Sequence, residues 1–516
     1  MAFFLVACLP WVCFILLSLY VFQLLADARR RLPPGPWPPK PLIGDLLALG
    51  KGDQQHRSLA RLADRYGPVM SLHLGTVLTV VISTPDAMRE IFHKNKDNLA
   101  GRPIADAFNA MGHSANSLLG LEHPDVKWRA IRRFSTTGLL APRRLAALQS
   151  LCRGKVRGLV RGISELAARG EPVHVRHVVL DMALSLMLSA IYSVDLDPES
   201  TTVFRSVVEE AMLLIGTANL SDLFPAIAAL DLQGVRRRVA ELFTITYRQY
   251  DEQVARRRPE RDAGEAGKND LLNVVLDMER EWQQKGSVLS HDAMRVLFTD
   301  LYGAGASTTS VLIEWAIADL LQNPESMRKI KEEITNVIGT NAQIQESDIA
   351  QLPYLQAVVK ETLRLRAVAP LVPRRAEATI EVQGFTIPKG TNVILNLWAI
   401  NRDARAWNYP DKFMPERFIG NDINYLGQDF QFVPFGVGRR ICLGLPLAQK
   451  VMYLVLGTLV HQFEWTLHEE LKESGIDMTE KCGMVLCLAN PLKVMAKKNT
   501  VKHLSEVFKS KHNCQN

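Results

Sequence analysis

The chain has 516 residues, is 47% hydrophobic and carries a formal net charge of +7. Such a length can bury a large core, and so small a charge, with no basic tract interleaved with aromatics, excludes a dedicated nucleic-acid binder. The seven cysteines (Cys8, Cys13, Cys152, Cys442, Cys482, Cys487 and Cys514) are odd in number and form no C-x-x-C pair, which speaks against a disulfide framework and for a reducing compartment.

Residues Ala2 to Ala26 contain no charged side chain and are rich in Leu, Phe and Val. At about 1.5 Å per helical residue, such a run spans a hydrocarbon core of roughly 30 Å. Pro10 is placed to kink it. Arg29, Arg30 and Arg31 assign the C-terminal end of the run to the cytosolic side. A cleaved signal peptide with a site at Ala26-Asp27-Ala28 is the competing reading, but the run exceeds an h-region of about 7–15 residues and no basic segment precedes it. Leu32-Pro-Pro-Gly-Pro-Trp-Pro-Pro-Lys-Pro41 cannot be helical and predicts a stiff, extended hinge. The expected division is an anchor over 1–28, a basic and proline-rich hinge over 29–45, one large domain over 46–498 and a polar tail over 499–516.

Within the large domain, Val69 to Val81 predicts strands of a small sheet, ending at Ser83-Thr-Pro85. From Asp86 to about Ala350 apolar residues recur three and four apart, the helical period. Residues 254–270 are charged and contain glycine, and predict an exposed connector. Strand patterns return from about Thr379 to Leu397, with turns at Gln383-Gly384 and at Pro388-Lys-Gly390. The fold class is mainly α with a minor β part split between the two ends, and no internal repeat is present.

Four constellations carry chemistry. In Phe435-Gly-Val-Gly-Arg-Arg-Ile-Cys-Leu-Gly444, glycines around Cys442 allow positive φ and let peptide N–H groups turn towards the sulfur. Arg439 and Arg440 favour the thiolate, and Phe435 shields it. A strongly donating sulfur held in this way suits an iron porphyrin that must break an O–O bond. Glu361 and Arg364 stand three apart in a helical run, within ion-pair reach. Asp300-Leu-Tyr-Gly-Ala-Gly-Ala-Ser-Thr-Thr-Ser310 lies in a long helical run, about His291 to Gln322. Gly303 and Gly305 there cost roughly 1 kcal/mol each. Close approach of the helix to a flat cofactor, or tight packing on another helix, would offset that cost. Finally, Trp128 and Arg132 share one helix face and can both meet a carboxylate.

The pattern Phe-x-x-Gly-x-Arg-x-Cys-x-Gly is met at every fixed position and resembles the haem-binding loop of the cytochrome P-450 monooxygenases. The resemblance runs from the anchor to about residue 496. It implies the cytochrome P-450 fold, a large helical domain around haem b with a small β-rich region behind an N-terminal transmembrane helix. It makes Cys442 the iron ligand, and Trp128, Arg132, Arg374, Phe435 and Arg440 further cofactor-binding residues. Glu361, Arg364 and Arg417, the last in Pro415-Glu-Arg-Phe418, would form a buried network. Thr308, with a water it orders, would deliver protons during O–O cleavage. At the preceding position, where the family usually carries an acid, stands Ser307, which relays a proton but cannot supply one; Asp300, about two turns away, is the available substitute.

The hinge, Lys360-Glu-Thr-Leu-Arg-Leu365, Trp398-Ala-Ile400 and Asp477-Met-Thr-Glu-Lys481 are similar to plant microsomal enzymes of the geraniol hydroxylase type. That implies an endoplasmic reticulum anchor with the catalytic domain in the cytosol. It also implies O2, electrons from NADPH through a separate cytochrome P-450 reductase, and a small hydrophobic, terpenoid substrate. Pocket positions carried over are the loop Ile104 to Leu121 with Asn109, Met212 to Ile215, Tyr302 and Ala304, Val368 to Val372, and Met484, Val485 and Leu486. Lys127, Arg129, Arg133, Arg143 and Arg144 are candidates for docking an acidic electron donor. Three alternatives stand beside this reading: a phenolic or flavonoid substrate, a haem-thiolate isomerase or lyase that needs neither O2 nor reductase, and a catalytically silent haem protein.

Overall fold

The computed structural model describes residues 2–50, 54–265, 267–284, 289–339 and 343–499. The expected polar tail beyond residue 499 lies outside the described residues. The backbone of Ala2–Ala28 is one helix (α1). Its end is tied to the small sheet: Asp27 contacts His73 at 3.2 Å, and the Tyr20 hydroxyl donates to the Pro39 carbonyl at 2.6 Å. The proline-rich segment is pinned along its length. Ser71 donates through N–H to Pro34 O at 2.8 Å and through its hydroxyl to Pro33 O at 2.7 Å. Gly35 passes so close that a Cβ would lie 2.0 Å from Ser71 O. Prolines suit this stretch because it offers carbonyls to a strand edge and needs no N–H.

The expected first strands are a hairpin, Val69–Leu74 (β1) and Val77–Ile82 (β2), paired antiparallel. Two distant strands complete that sheet in the order β1-β2-β7-β4, with Leu371–Arg375 (β4) and Asn392–Asn396 (β7). β7 runs parallel to β2, so the two ends of the chain meet here. Ile380–Val382 (β5) and Phe385–Ile387 (β6) form the expected hairpin around Gln383-Gly384. Sequence reasoning missed β4, whose Pro373 and two arginines mask the apolar alternation. Near the C-terminus, Val173–His174 (β3) joins Phe463–Leu467 (β8) and Lys493–Lys498 (β11) in the order β3-β11-β8, and Glu480–Cys482 (β9) pairs with Leu486–Leu488 (β10).

The helical body keeps the expected period. After Gln55–Tyr66 (α2) and Pro85–Asn95 (α3) come Val126–Gly138 (α4), Pro142–Ala168 (α5), Val175–Tyr192 (α6) and Pro198–Gly216 (α7). Next are Leu220–Leu223 (α8), Val235–Asp262 (α9), Leu271–Gln284 (α10) and His291–Gln322 (α11), then Pro324–Ile338 (α12), Pro353–Arg366 (α13), Leu397–Ile400 (α14), Leu445–Gln462 (α15) and Glu469–Ser474 (α16). Short polar side chains start several of them: Asp125 caps α4, Asp197 caps α7 and Ser290 caps α11, each accepting from a backbone N–H of the first turn.

α11 is the axis of the molecule, packed against α6, α7, α9, α13 and α15. α6 is long and apolar enough to cross a membrane, yet 67% of it is buried inside the protein, as a core helix is. The expected connector at 254–270 is corrected in part. α9 continues through Pro259 to Asp262, and buried Arg257 donates to Asp270 at 3.0 Å and to Asn273 at 2.9 Å. The charged residues up to 262 thus belong to a helix with an internal ion pair, while the described residues from 263 to 269 form an exposed connector, as expected.

Candidate active site at the cysteine loop

The cysteine loop is a tight turn between the 3-10 segment Gly438–Arg440 and the start of α15. Gly436 and Gly438 have φ of +75° and +71°, the left-handed region expected of them. The N–H of Cys442 donates to Phe435 O at 2.9 Å, which closes the turn. Phe435 packs edge-on to Tyr425, ring centroids 5.4 Å apart. Cys442 is accessible, although burial raises its thiol pKa. The Gly444 and Leu445 N–H groups and the Arg132 charge oppose that rise. An accessible sulfur surrounded by protein faces an enclosed space, not bulk solvent. Those N–H groups and that guanidinium would stabilise the thiolate, the form that ligates a metal.

A second observation tests whether a haem fits. Arg374 is 1% exposed, and its only hydrogen bond among the described residues goes to the adjacent Pro373 carbonyl, at 3.3 Å. Burial, with Arg102 and Arg440 beside it, holds its pKa well below the usual guanidinium range. Arg102 is partly buried, with an enclosed Nε unpartnered and its guanidinium donating to Leu119 O at 3.2 Å; burial lowers its pKa too, and the Asp300 charge opposes this. Burial and the neighbouring Arg102 hold Arg440 at about 10. Neither Arg374 nor Arg102 nor Arg440 forms an ion pair among the described residues. Three clustered guanidiniums with no ion-paired carboxylate among the described residues, which the charges of Asp300, Glu377 and Asp125 offset only in part, are costly unless anions join them. The two propionates of haem b are such anions, and the accessible thiol in the same loop as Arg440 would be the matching iron ligand. The residues present fit the group.

Sequence reasoning missed Arg102. The only signal is a lone Gly101-Arg-Pro103 turn, bridged to Arg375. Trp128 and Arg132 occupy neighbouring positions, but each already has a partner. The indole N–H donates to Leu118 O at 3.2 Å, and Arg132 donates to Ile441 O at 2.9 Å. Arg440 likewise donates to carbonyls of Ala100, at 2.9 Å, and Leu121, at 2.7 Å. These two contacts fasten the cysteine loop to the segment 100–122.

The Glu361 network lies behind the loop. Arg364 grips Glu361 through two hydrogen bonds of 2.7 and 2.8 Å, and Arg417 adds a third at 3.1 Å. The Met414 N–H completes the carboxylate at 2.8 Å. Glu361 and Arg364 are fully buried, and the remaining guanidinium N–H groups donate to backbone carbonyls of 401–412. A buried pair this well satisfied fixes the segment leading to the cysteine.

Across the site, the middle of α11 is buried except for one stripe, Leu301, Ala304, Gly305 and Thr308. The steps of three and four put these on one face. The Thr308 hydroxyl donates to Ala304 O at 2.7 Å, and Ser307 is buried beside it. Three expectations are corrected here. Tyr302 does not face the stripe; it is buried with its hydroxyl donating to Thr246 O at 3.2 Å on α9. Gly303 and Gly305 are not explained by tight helix packing: a Cβ at Gly303 would meet only the flexible end of Met212, at 3.1 Å, and one at Gly305 would meet Met187 Sδ at 3.4 Å, an ordinary contact. Asp300 is no free acid for Thr308, because both its oxygens are engaged by His113, Ser117 and the Leu118 N–H.

The other pocket positions converge unevenly. The Met484 N–H donates to Met212 O at 3.2 Å, and that of Leu486 to Val368 O at 2.9 Å. This brings 212, 368 and 484–486 together beside α11. Leu486 itself is fully buried, its carbonyl accepting from the Trp315 indole at 2.9 Å. Val485 is partly buried against the main core and Val372 against a second cluster. Ile104 and Ile215 pack with Phe108 and Phe243. Asn109 is exposed and accepts from Ser114 at 2.8 Å. Leu121 is partly buried next to Arg440.

The sequence profile described as Cytochrome P450 matches residues 33–496. Among similar proteins, "Cytochrome P450 76C1" of Arabidopsis thaliana is 38% identical over 93% of this chain and 95% of its own length. "Ferruginol synthase" of Isodon rubescens is 37% identical over 92% and 96%. "Cytochrome P450 monooxygenase 76AD131" of Lophophora williamsii is 40% identical over 94% and 96%. With a thiol loop that fits a haem ligand, and these matches over nearly its whole length, the chain belongs to the cytochrome P450 family, haem-binding monooxygenases.

Proposed function

We propose that this protein is a membrane-anchored haem-thiolate monooxygenase that hydroxylates a small hydrophobic substrate, a terpenoid, with O2 and electrons passed from NADPH by cytochrome P-450 reductase. The observation that carries the reading is the accessible Cys442 thiol in the same loop as Arg440, which clusters with Arg374 and Arg102, none of the three ion-paired among the described residues. Cys442 is the iron ligand, and Arg102, Arg374 and Arg440, with Trp128 and Arg132 nearby, bind the propionate edge. Haem held there supplies oxygen activation and insertion of one oxygen atom into a C–H bond.

The residues of this chain do the rest. Gly444 and Leu445 N–H groups and the Arg132 charge favour the thiolate, opposing in part the rise that burial imposes on the thiol. The Thr308 hydroxyl, oriented by Ala304 O, passes on a proton, and Ser307 contributes a hydroxyl where an acid would donate more readily. The surroundings of α11, from Leu301 and Ala304 to Val368 and Met212, exclude water and receive an apolar molecule. The terpenoid class rests on the pocket's apolar character and on a relative named ferruginol synthase.

Residues 1–28 serve as the endoplasmic reticulum anchor, supported by the uncharged 27-residue helix α1 less its last two residues. The hinge over 29–45 holds the catalytic domain, 46–498, on the cytosolic side. Basic residues from Lys127 to Arg144 receive the reductase.

The test is a carbon monoxide difference spectrum of reduced microsomes, with Cys442→Ser in parallel, then turnover of a terpenoid panel with and without NADPH and reductase. A thiolate-type Soret band in the parent and its loss in the variant is the expected result. A neutral-ligand band in undenatured parent protein overturns the ligand assignment, and turnover independent of NADPH overturns the monooxygenase reading.

A further inference from the structure

One buried polar cluster has no part in the chemistry above. His113 lies at the junction of three elements: the segment Asp106–Ala115, α9 and α11. Its Nε2 is 3.0 Å from Asp300 Oδ1, and its Nδ1 is 2.7 Å from the Tyr247 hydroxyl. With Nε2–H donating to the carboxylate, Nδ1 accepts from Tyr247, so every polar atom of the ring is used. The ring is 1% exposed and stacks on Phe243, centroids 4.1 Å apart.

Asp300 spends its other oxygen on the same loop, accepting from Ser117 Oγ at 2.7 Å and from the Leu118 N–H at 3.0 Å. Ser117 Oγ in turn accepts from Gly120 N–H at 2.9 Å. The carbonyl of Leu118 accepts from Trp128 Nε1 and from Arg440, each at 3.2 Å. A single residue, Leu118, therefore joins the α11 carboxylate to the cysteine loop.

The backbone just before His113 is unusual. Met111 and Gly112 are both left-handed, with φ of +52° and +68°. A non-glycine residue in that region is strained, and Met111, 53% exposed, makes no burial that would hold it there. The turn is held instead by its neighbour, His113, seated between Tyr247 and Asp300.

We propose that His113 and Asp300 form a latch that fixes residues 113–121 against α11 and thereby sets the shape of the substrate pocket. Both are positioning residues. Asp300, itself buried, stands one and two turns before Ala304 and Thr308 on α11, so the latched loop is joined to that helix just before its accessible stripe. The inference rests on the active-site reading above. It assigns substrate selectivity, not oxygen activation, to this cluster.

The test uses His113→Leu, Asp300→Asn and Tyr247→Phe in the full-length protein. Hydrogen exchange of peptides covering 113–121 is measured on the purified protein as obtained, and rises at least about fivefold in the first two variants and less in the third. In the haem-loaded protein, spectral titration compares imidazole with 4-phenylimidazole. The expected result is a change of about fivefold or more in affinity for the bulky ligand, with imidazole within about twofold and the thiolate-type carbon monoxide band retained.

Unchanged exchange and an unchanged ratio of the two affinities in both His113→Leu and Asp300→Asn overturn the proposal. So does an equal loss of both ligands with intact haem content, which would place the effect at the iron. If Asp300→Asn fails to retain haem, His113→Leu and Tyr247→Phe decide. A parent protein without the thiolate band sinks the active-site reading instead, and the exchange measurement still decides whether the latch holds the loop.

Discussion

The two sides of the site are held by different means. Behind the cysteine, Glu361 receives five polar contacts from Arg364, Arg417 and the Met414 N–H, counting both Arg364 bonds and the Arg417 contact to each oxygen. Residues 401–417 are thereby clamped to α13. Over α11, the loop 113–121 is held by separate contacts from several elements: Asp300 takes His113, Ser117 and the Leu118 N–H, Tyr247 meets His113, and Trp128 and Arg440 donate to the loop's carbonyls. The first side is built for one geometry, as a metal ligand requires. The second draws its contacts from α4, α9, α11 and the cysteine loop, one or a few from each. A clamp concentrated on one carboxylate suits a segment that must keep one geometry, whereas contacts spread over several elements make a loop answer to all of them.

The contrast is broken most severely at Glu361. Glu361→Gln leaves two buried guanidiniums without their carboxylate, and the expected loss is about 3–5 kcal/mol together with failure to retain haem. Haem content on purification and thermal unfolding measure both. A variant that keeps its haem and its midpoint would show that the cysteine side does not depend on this network.

Glu480 offers a pH-dependent test away from the site. Burial would raise its pKa, but the hydrogen bonds and charges of His56 and Arg57 more than offset this and hold it at about 2, against 4.5 for an ordinary glutamate. Because the folded value is the lower one, the stabilisation is fully present above pH 4.5 and is lost as pH falls towards about 2. Glu480→Gln should therefore be less stable at neutral pH by on the order of 1–3 kcal/mol, with the difference shrinking across that window. Denaturation curves at a series of pH values decide; a gap constant with pH means that the charge is not what stabilises.

Smaller effects sharpen the comparison. Ser307→Asp restores an acid beside Thr308, and the expected change is about twofold or more in product formed per NADPH consumed. An unchanged ratio means that serine does not limit proton delivery. Gly303→Ala should cost less than about 1 kcal/mol, because the added Cβ meets only the flexible end of Met212 while the helix gains propensity. Haem content should be unaffected. Its loss would return the glycine to close approach of the cofactor.

The cysteine loop was legible because it is local: glycines at positive φ, a shielding Phe435 and a cysteine lie within ten consecutive residues and carry their geometry with them. The Glu361–Arg364 pair was legible for the same reason, being one helical turn. Arg102 was not. A single arginine in a turn carries no period, and only the fold sets it beside Arg374 and Arg440. Tyr302 was assigned to the wrong face of α11. That helix is buried almost all round, and an apolar helix without a polar side gives the sequence no marker of orientation.

By itself the sequence determined the elements, the thiol loop, the anchor-like N-terminus and a helix-dominated fold, since each depends on residues close together in the chain. The tertiary structure alone decided that 254–262 continues a helix around a buried ion pair, that Asp300 grips a loop instead of serving Thr308, and that three guanidiniums meet with no ion-paired acid among the described residues. The physical reason is the same in each case. A buried charge has meaning only through its partner, and the partners of Asp300, Arg257 and Arg374 are chosen by how the helices pack.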